Sequence, residues 1–301
     1  MNTATNIRTA TWSNIGYDIR KANTVEEALK LSHLDYTVEK VPCFLADGTP
    51  IPGAFCTKKE NSLETFGVVG KEFSIIQNIE GFDFINALVG EGLTFLKAGE
   101  NRKMVWIIGQ LPTIEVLGDK VTPHIIFQNS HGGNTTLKAT IAPLRIICQN
   151  QFNLTFRKAD NKISLRHTSS IKERLHTAET VLAQNSIYLD EFKKKAEEMA
   201  STKISKAKVD SFLDSIFEVK SDFNPTKVKA VEEKRARFLA AYQAEDNQNF
   251  IGTQWGLVNA YTDYVTHKPL KKDTSTALEN HFIKSTLKGS INDFVHQVSK
   301  L

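Results

Sequence analysis

The residues best suited to chemistry in this chain are cations interleaved with aromatic rings. From Arg145 to Arg174 stand seven basic side chains (Arg145, Arg157, Lys158, Lys162, Arg166, Lys172 and Arg174) against two acids, Asp160 and Glu173. His167 adds a charge when protonated, and Phe152 and Phe156 lie inside the same stretch. Cations neutralise phosphates and release counterions, while aromatic faces stack bases without demanding a sequence. These are the ingredients of a groove for single-stranded nucleic acid. A solvated strand–turn–helix with Phe152 and Phe156 in its core explains the same residues, so both readings stand.

A second stretch has the look of a catalytic loop. In Asn129-Ser130-His131-Gly132-Gly133-Asn134 the glycines would let backbone approach an anion, and His131 would serve as a base. Two glycines between β-rich runs also supply the positive φ that a hairpin needs, and the hairpin is the favoured reading. His124, His131 and His167 could share a metal with Asp119 or Asp160, but their spacing matches no known ligand pattern. The chain has no GxGxxG, P-loop, GxSxG or HExxH motif. No catalytic residue, metal or cofactor is therefore assigned, and the expectation is a protein that is not an enzyme.

Charge is distributed unevenly. The 301 residues carry a formal net charge of +4. Residues 1–140 have 13 Lys/Arg against 15 Asp/Glu, residues 141–209 have 13 against 7, and residues 210–301 balance at 12 against 12. All of the excess positive charge thus falls in the middle stretch. A hydrophobic content of 41% with 24% charged residues is that of a globular protein and excludes a collagen-like or wholly disordered chain. No run approaches the ~18 apolar residues that span a bilayer. The first thirty residues lack the apolar core of a signal peptide. Three cysteines, Cys43, Cys56 and Cys148, are an odd number without CxxC spacing. A cytoplasmic protein with no membrane segment is expected.

Two kinds of element must position these residues. The first half alternates β-branched and aromatic runs with Gly, Pro, Asp and Asn punctuation, as in residues 37–45, 53–58, 64–70, 94–97, 103–111, 120–128 and 134–148. Thr24, with Glu27 three residues on, predicts a capped helix to Ser32. Asn78–Glu91 has the spacing of one amphipathic helix, with Asn78 as its cap. From Ser169 the pattern turns helical. Ile171, Leu175, Ala178, Leu182, Asn185, Leu189, Phe192, Ala196 and Met199 form a heptad-like stripe. It can pack on the chain's own sheet or against another subunit, and its mixed side-chain sizes favour the former. Helices over 205–219, 225–243, 253–266 and 276–298 follow, and Ser201–Lys208 is the candidate hinge.

The expected fold is therefore α+β: a mostly antiparallel sheet with helices on one face over residues 1–168, then an all-helical C-terminal region over 169–301. Ile75-Ile76-Gln77-Asn78, Ile126-Phe127-Gln128-Asn129 and Ile147-Cys148-Gln149-Asn150 each close an apolar run with Gln-Asn. The echo reads as shared turn chemistry at strand ends.

Several segments match a known pattern in order. These are Trp12-Ser13-Asn14-Ile15-Gly16, Phe66-Gly67-Val68-Val69-Gly70 leading to Gln77-Asn78, Asn129-Ser130-His131-Gly132-Gly133, Pro143 to Asn150, Arg166-His167-Thr168 and Gly252 to Tyr264. The run resembles a phage- and plasmid-like protein family of unknown function, also found in bacterial prophages. Members of that family commonly carry an acid after the loop histidine; Gly132 stands there in this chain, which weakens a metal or catalytic role for the loop. The resemblance implies a mobile-element protein acting in the bacterial host cytoplasm on or beside replicating DNA. An early three-stranded group, a helix, further strands and a basic segment are also similar in architecture to phage single-strand annealing proteins of the Red-beta and Erf kind. That similarity implies a homo-oligomer that holds single-stranded DNA without cofactors and promotes annealing in recombination or replication. The alternatives are a protein-interaction module acting in host takeover or anti-defence, and a metal-dependent nuclease built on His131, His167 and an aspartate.

Overall fold

The computed structural model describes residues 15–101, 104–133, 136–145, 162–168, 185–266 and 290–301. Strands and helices follow the punctuation of the sequence. Short β1 (Tyr17–Asp18) leads to helix α1 (Val25–Leu31), then to strands β2 (Val38–Phe44), β3 (Pro50–Lys59) and β4 (Thr65–Gly70). Helices α2 (Asn78–Phe82) and α3 (Ile85–Gly90) come next. Strands β5 (Thr94–Asn101), β6 (Met104–Gln110), β7 (Ile114–Val116), β8 (Asp119–Ser130), β9 (Leu137–Arg145) and β10 (Lys162–Leu165) complete the β-rich part.

Thr24 caps α1 as its sequence predicts. Its hydroxyl accepts from the Glu27 amide at 3.2 Å, and the Glu27 carboxylate accepts from the Asn23 amide at 2.7 Å. The single helix expected over 78–91 is two. The chain turns at Asp83 and Phe84, where the Asp83 carboxylate and carbonyl each accept a bond from Asn86 at 3.0 Å. The cap of α2 is Gln77, one residue before the expected Asn78.

Every described pairing is antiparallel, and the strands divide into two sheets. β2-β3-β4 is a three-stranded meander, while the larger sheet runs β1-β5-β6-β8-β9-β10 with β7 beside β8. In the larger sheet Ala98, Ile107, Phe127 and Ala139 lie in one row across four strands. This row is buried beneath Val25, Ala28 and Leu29 of α1 and Phe82, Ile85 and Leu88 of α2 and α3. On the opposite face Trp106 packs with Ile15, Ile108 and Ile126. Gly99 makes room for it, since a Cβ there would lie 2.5 Å from Trp106 Cζ2.

The remaining described elements are helical: α4 (Asn185–Ser201), α5 (Lys206–Ile216), α6 (Pro225–Tyr242), a 3-10 turn (Glu245–Phe250), α7 (Gln254–Thr266) and α8 (Ser290–Val298). Phe192, Ala196 and Met199, the described end of the heptad-like stripe, are buried in the chain's own helical core. Residues 171–184 of that stripe lie outside the described residues. Phe192 meets Trp255 of α7 edge-on at 6.1 Å, and Tyr261 stacks on Phe294 at 3.9 Å. Each fully buried aromatic contributes about 1.5–3 kcal/mol of hydrophobic stabilisation. Val116 and Val121 belong to the same core, so the helices pack on the β7–β8 end of the sheet. The expected hinge is tied at both strands of a small bridge: Ile204 N donates to Gly252 O at 2.8 Å and Gln254 N to Thr202 O at 3.1 Å.

Candidate functional site

Strands β9 and β10 form the edge pair of the larger sheet. Their register sets Lys162 opposite Thr140, Ser164 opposite Lys138 and Leu165 opposite Leu137. Arg145 ends β9, opposite Val121 of β8. Arg145 and Lys162, which flank sixteen residues of sequence, thus lie toward the same end of this strand pair. They include Phe152, Phe156, Arg157 and Lys158, which lie outside the described residues, as do Lys172 and Arg174. Arg166, one residue past β10, is exposed. His167 departs from its neighbours. It is 7% exposed, its Nδ1 lies 3.2 Å from Ser74 O, and its ring stacks on Phe73 at 5.0 Å. Burial pushes its pKa down. His167 is thus packed against Phe73 and Ser74, with its charge disfavoured.

At the other end of the same strand pair lies a buried polar junction. The pairing that joins Ala98 to Ile107 and Phe127 places Glu100, Val105 and Asn129 in the next row along the same face. Asn78, at the start of α2, packs over that row. Its Nδ2 donates to Leu34 O at 2.9 Å, which turns its Oδ1 toward two donors: His131 Nε2 at 2.9 Å and Asn129 Nδ2 at 3.3 Å. An amide oxygen only accepts, so His131 carries its proton on Nε2 and leaves Nδ1 as a buried acceptor. Asn129 also donates to Ile76 O at 3.0 Å and accepts from the Ser130 amide at 2.9 Å. From the small sheet, Thr57 Oγ1 donates to His131 O at 2.6 Å, and the Phe66 ring lies 5.1 Å from the imidazole.

Burial keeps the imidazole and the phenol at this junction uncharged. Burial, assisted by nearby His167, lowers the pKa of His131 to about 4. Tyr36, which lies edge-on to His131 at 6.3 Å, is pushed up by burial and by the Glu100 charge, so it stays a phenol. Burial raises Glu100 as well. The Lys59 ammonium sits 3.9 Å above the Tyr36 ring. A cavity of about 290 Å³ reaches Tyr36 and Gln77 but is not lined by His131. Strands β8 and β9 pair antiparallel on either side of the two glycines, with Gly133 at φ 73°, as the favoured hairpin reading expects.

The histidines are placed differently from one another. His124 is buried seven residues before His131, roughly 23 Å along an extended strand, and its ring bonds Thr122 O at 2.9 Å. His131 and His167 do lie close enough for a charge on His167 to disfavour one on His131. Among the described residues no three His, Cys, Asp or Glu side chains converge as a metal site, and Asp160 lies outside them. Reasoning from sequence missed Asn78 as the hub and Tyr36 and Glu100 as its neighbours. The signal was the Gln-Asn echo, because two of its three members, Asn78 and Asn129, are hydrogen-bonded to each other across 51 residues of chain.

No curated protein and no solved structure matches the chain. A family model begins at β4, takes in Asn78, Asn129 and His131 of the junction and the basic stretch, and ends beyond α7. Covering residues 65–285, it shows that the chain belongs to the family described as Domain of unknown function (DUF932).

Proposed function

We propose that the chain binds single-stranded DNA through the basic stretch at the sheet edge and promotes strand annealing in phage or plasmid recombination or replication. The observation that carries this reading is the β9–β10 pairing. It anchors both ends of the segment bearing Phe152, Phe156, Arg157 and Lys158, with Arg145 at one end and Lys162 and Arg166 at the other. Of the cations, Arg145, Lys162 and Arg166 thereby flank that segment on one pair of strands. A strand-tracking surface needs that arrangement: phosphate contacts in a row, with aromatic faces among them. The order of a three-stranded meander, short helices and a larger sheet supports the likeness to annealing proteins. Binding through phosphates needs neither metal nor cofactor.

The test is fluorescence anisotropy of a labelled single strand titrated with protein at rising salt. Affinity should fall as a power of salt concentration, by about 0.7 in the logarithmic slope for each phosphate neutralised. Annealing of two complementary strands should accelerate under the same conditions. No binding at low salt overturns the proposal.

A further inference from the structure

Two imidazole nitrogens in the core carry lone pairs that the packing does not use. His131 donates Nε2–H to Asn78 Oδ1 at 2.9 Å, so its Nδ1 is an acceptor. His167 Nδ1 lies 3.2 Å from Ser74 O. A carbonyl only accepts, so the proton is on that nitrogen and Nε2 holds the lone pair. The two residues are 0% and 7% exposed. Neither His131 Nδ1 nor His167 Nε2 has a hydrogen-bond partner among the described residues. Buried acceptors without a donor are rare in folded proteins, and two in one place mark a site for an electron-pair acceptor.

Strand pairing brings these side chains together. Gln128 of β8 and Ser164 of β10 flank Lys138 of β9, one on each side. His131 and His167 each stand three residues further along in the same direction. They therefore come to the same level of the sheet, about 10 Å apart at the backbone across two strand spacings. Alternation puts them on the face of Phe127 and Leu165, both buried in the core that holds α1, α2 and α3. The chain from Ser74 to Asn78 fixes both rings, one through Ser74 O and the other through Asn78 Oδ1. Metal-binding histidines are held in this way: one ring nitrogen donates to an oxygen that orients the ring, and the other faces the ion. Phe66 at 5.1 Å from His131 and Phe73 at 5.0 Å from His167 wall the pair with aromatic surface. Neutral imidazole nitrogens suit a borderline-soft cation such as zinc, where magnesium and calcium require oxygen.

We propose that His131 Nδ1 and His167 Nε2 are two ligands of a site for a divalent cation of the zinc class. The described residues supply these two ligands and no third side chain. Two imidazoles make half of a tetrahedral shell, and water or an oxygen of a bound molecule completes it. The ion ties the end of β8 to the chain leaving β10. This inference does not rest on the nucleic-acid reading, which needs no metal.

Titration of the metal-free full chain with zinc chloride tests it, followed by calorimetry and by nitrogen NMR of labelled histidines. One equivalent should bind with a dissociation constant of about 10 µM or below, and magnesium should not compete. In the wild type, zinc should shift an unprotonated Nδ1 of one histidine and an unprotonated Nε2 of another, while the opposite nitrogen of each ring keeps its proton. His167→Gln should weaken binding by about 100-fold or more, whereas His296→Gln, at an exposed histidine, should leave it unchanged. The wild-type spectrum decides the matter even if His167→Gln fails to fold. Zinc binding no tighter than about 1 mM, or binding that shifts neither nitrogen, overturns the proposal, and water alone then satisfies the two lone pairs.

Discussion

Strands β9 and β10 connect two regions with opposite electrostatics. At the Leu137–Leu165 end, His131, Asn78 and Asn129 are buried, neutral and hydrogen-bonded to one another. At the Arg145–Lys162 end, the chain leaves the sheet into its most basic stretch. A histidine beside glycines has the look of chemistry, yet its environment removes its charge and occupies its proton. The cations have no motif, and the β9–β10 pairing places Arg145 and Lys162 at either side of the stretch that holds most of them. In this molecule the catalytic-looking histidine helps to assemble the fold, and the proposed surface belongs to charges without a motif.

Substitutions that separate the two ends give the largest contrast. Changing Arg157, Lys158 and Lys162 together to Glu should lower oligonucleotide affinity by about 100-fold or more at moderate salt, on every sequence tried. Thermal stability should hardly move, and anisotropy beside a thermal melt checks both. The mirror-image change is Asn78→Ala. It strips partners from His131 Nε2, Asn129 Nδ2 and Leu34 O at once. Buried groups left unpaired should cost about 2–4 kcal/mol in urea unfolding, while the folded fraction keeps its affinity.

Acid should act on the fold through its buried histidines. His124 and His131 have pKa values lowered to about 4 by burial, and both return to the ordinary histidine value on unfolding. The unfolded chain therefore binds more protons between pH 6.5 and 4. Stability should be full above pH 6.5 and fall as pH drops toward 4, by on the order of 3 kcal/mol per histidine. Urea midpoints across that window check the slope, and His131→Gln should flatten it. The smallest effect expected is that of Thr57→Val. It removes the 2.6 Å bond to His131 O that ties the small sheet to the junction, and should cost about 1 kcal/mol.

Legibility from sequence followed range. Thr24 with Glu27, Gly132–Gly133 and the helical stripes act within a few residues of themselves, and the structure places a capped helix, a hairpin and helices there. The break between α2 and α3 was hidden because Ile85 and Leu88 keep helical spacing on both sides of the turn. Its cause is a distant partner: Asn86, which brackets Asp83, also accepts from the Val25 amide at 2.8 Å. Asn78 was misread for the same reason. A capping asparagine and an asparagine holding Leu34 and His131 are the same letter, and only the packed sheet distinguishes them. The division of the strands into two sheets depends on long-range pairing and had no local sign either.

Mapping the nucleic-acid contact directly is the strongest test of the whole account. Ultraviolet crosslinking of the chain to a labelled single strand, followed by peptide mapping, reads which aromatic residues touch bases. Crosslinks concentrated in residues 146–161, at Phe152 or Phe156, are expected. Crosslinks that instead fall on the junction around His131 and Phe66, or on the helical region, would contradict it.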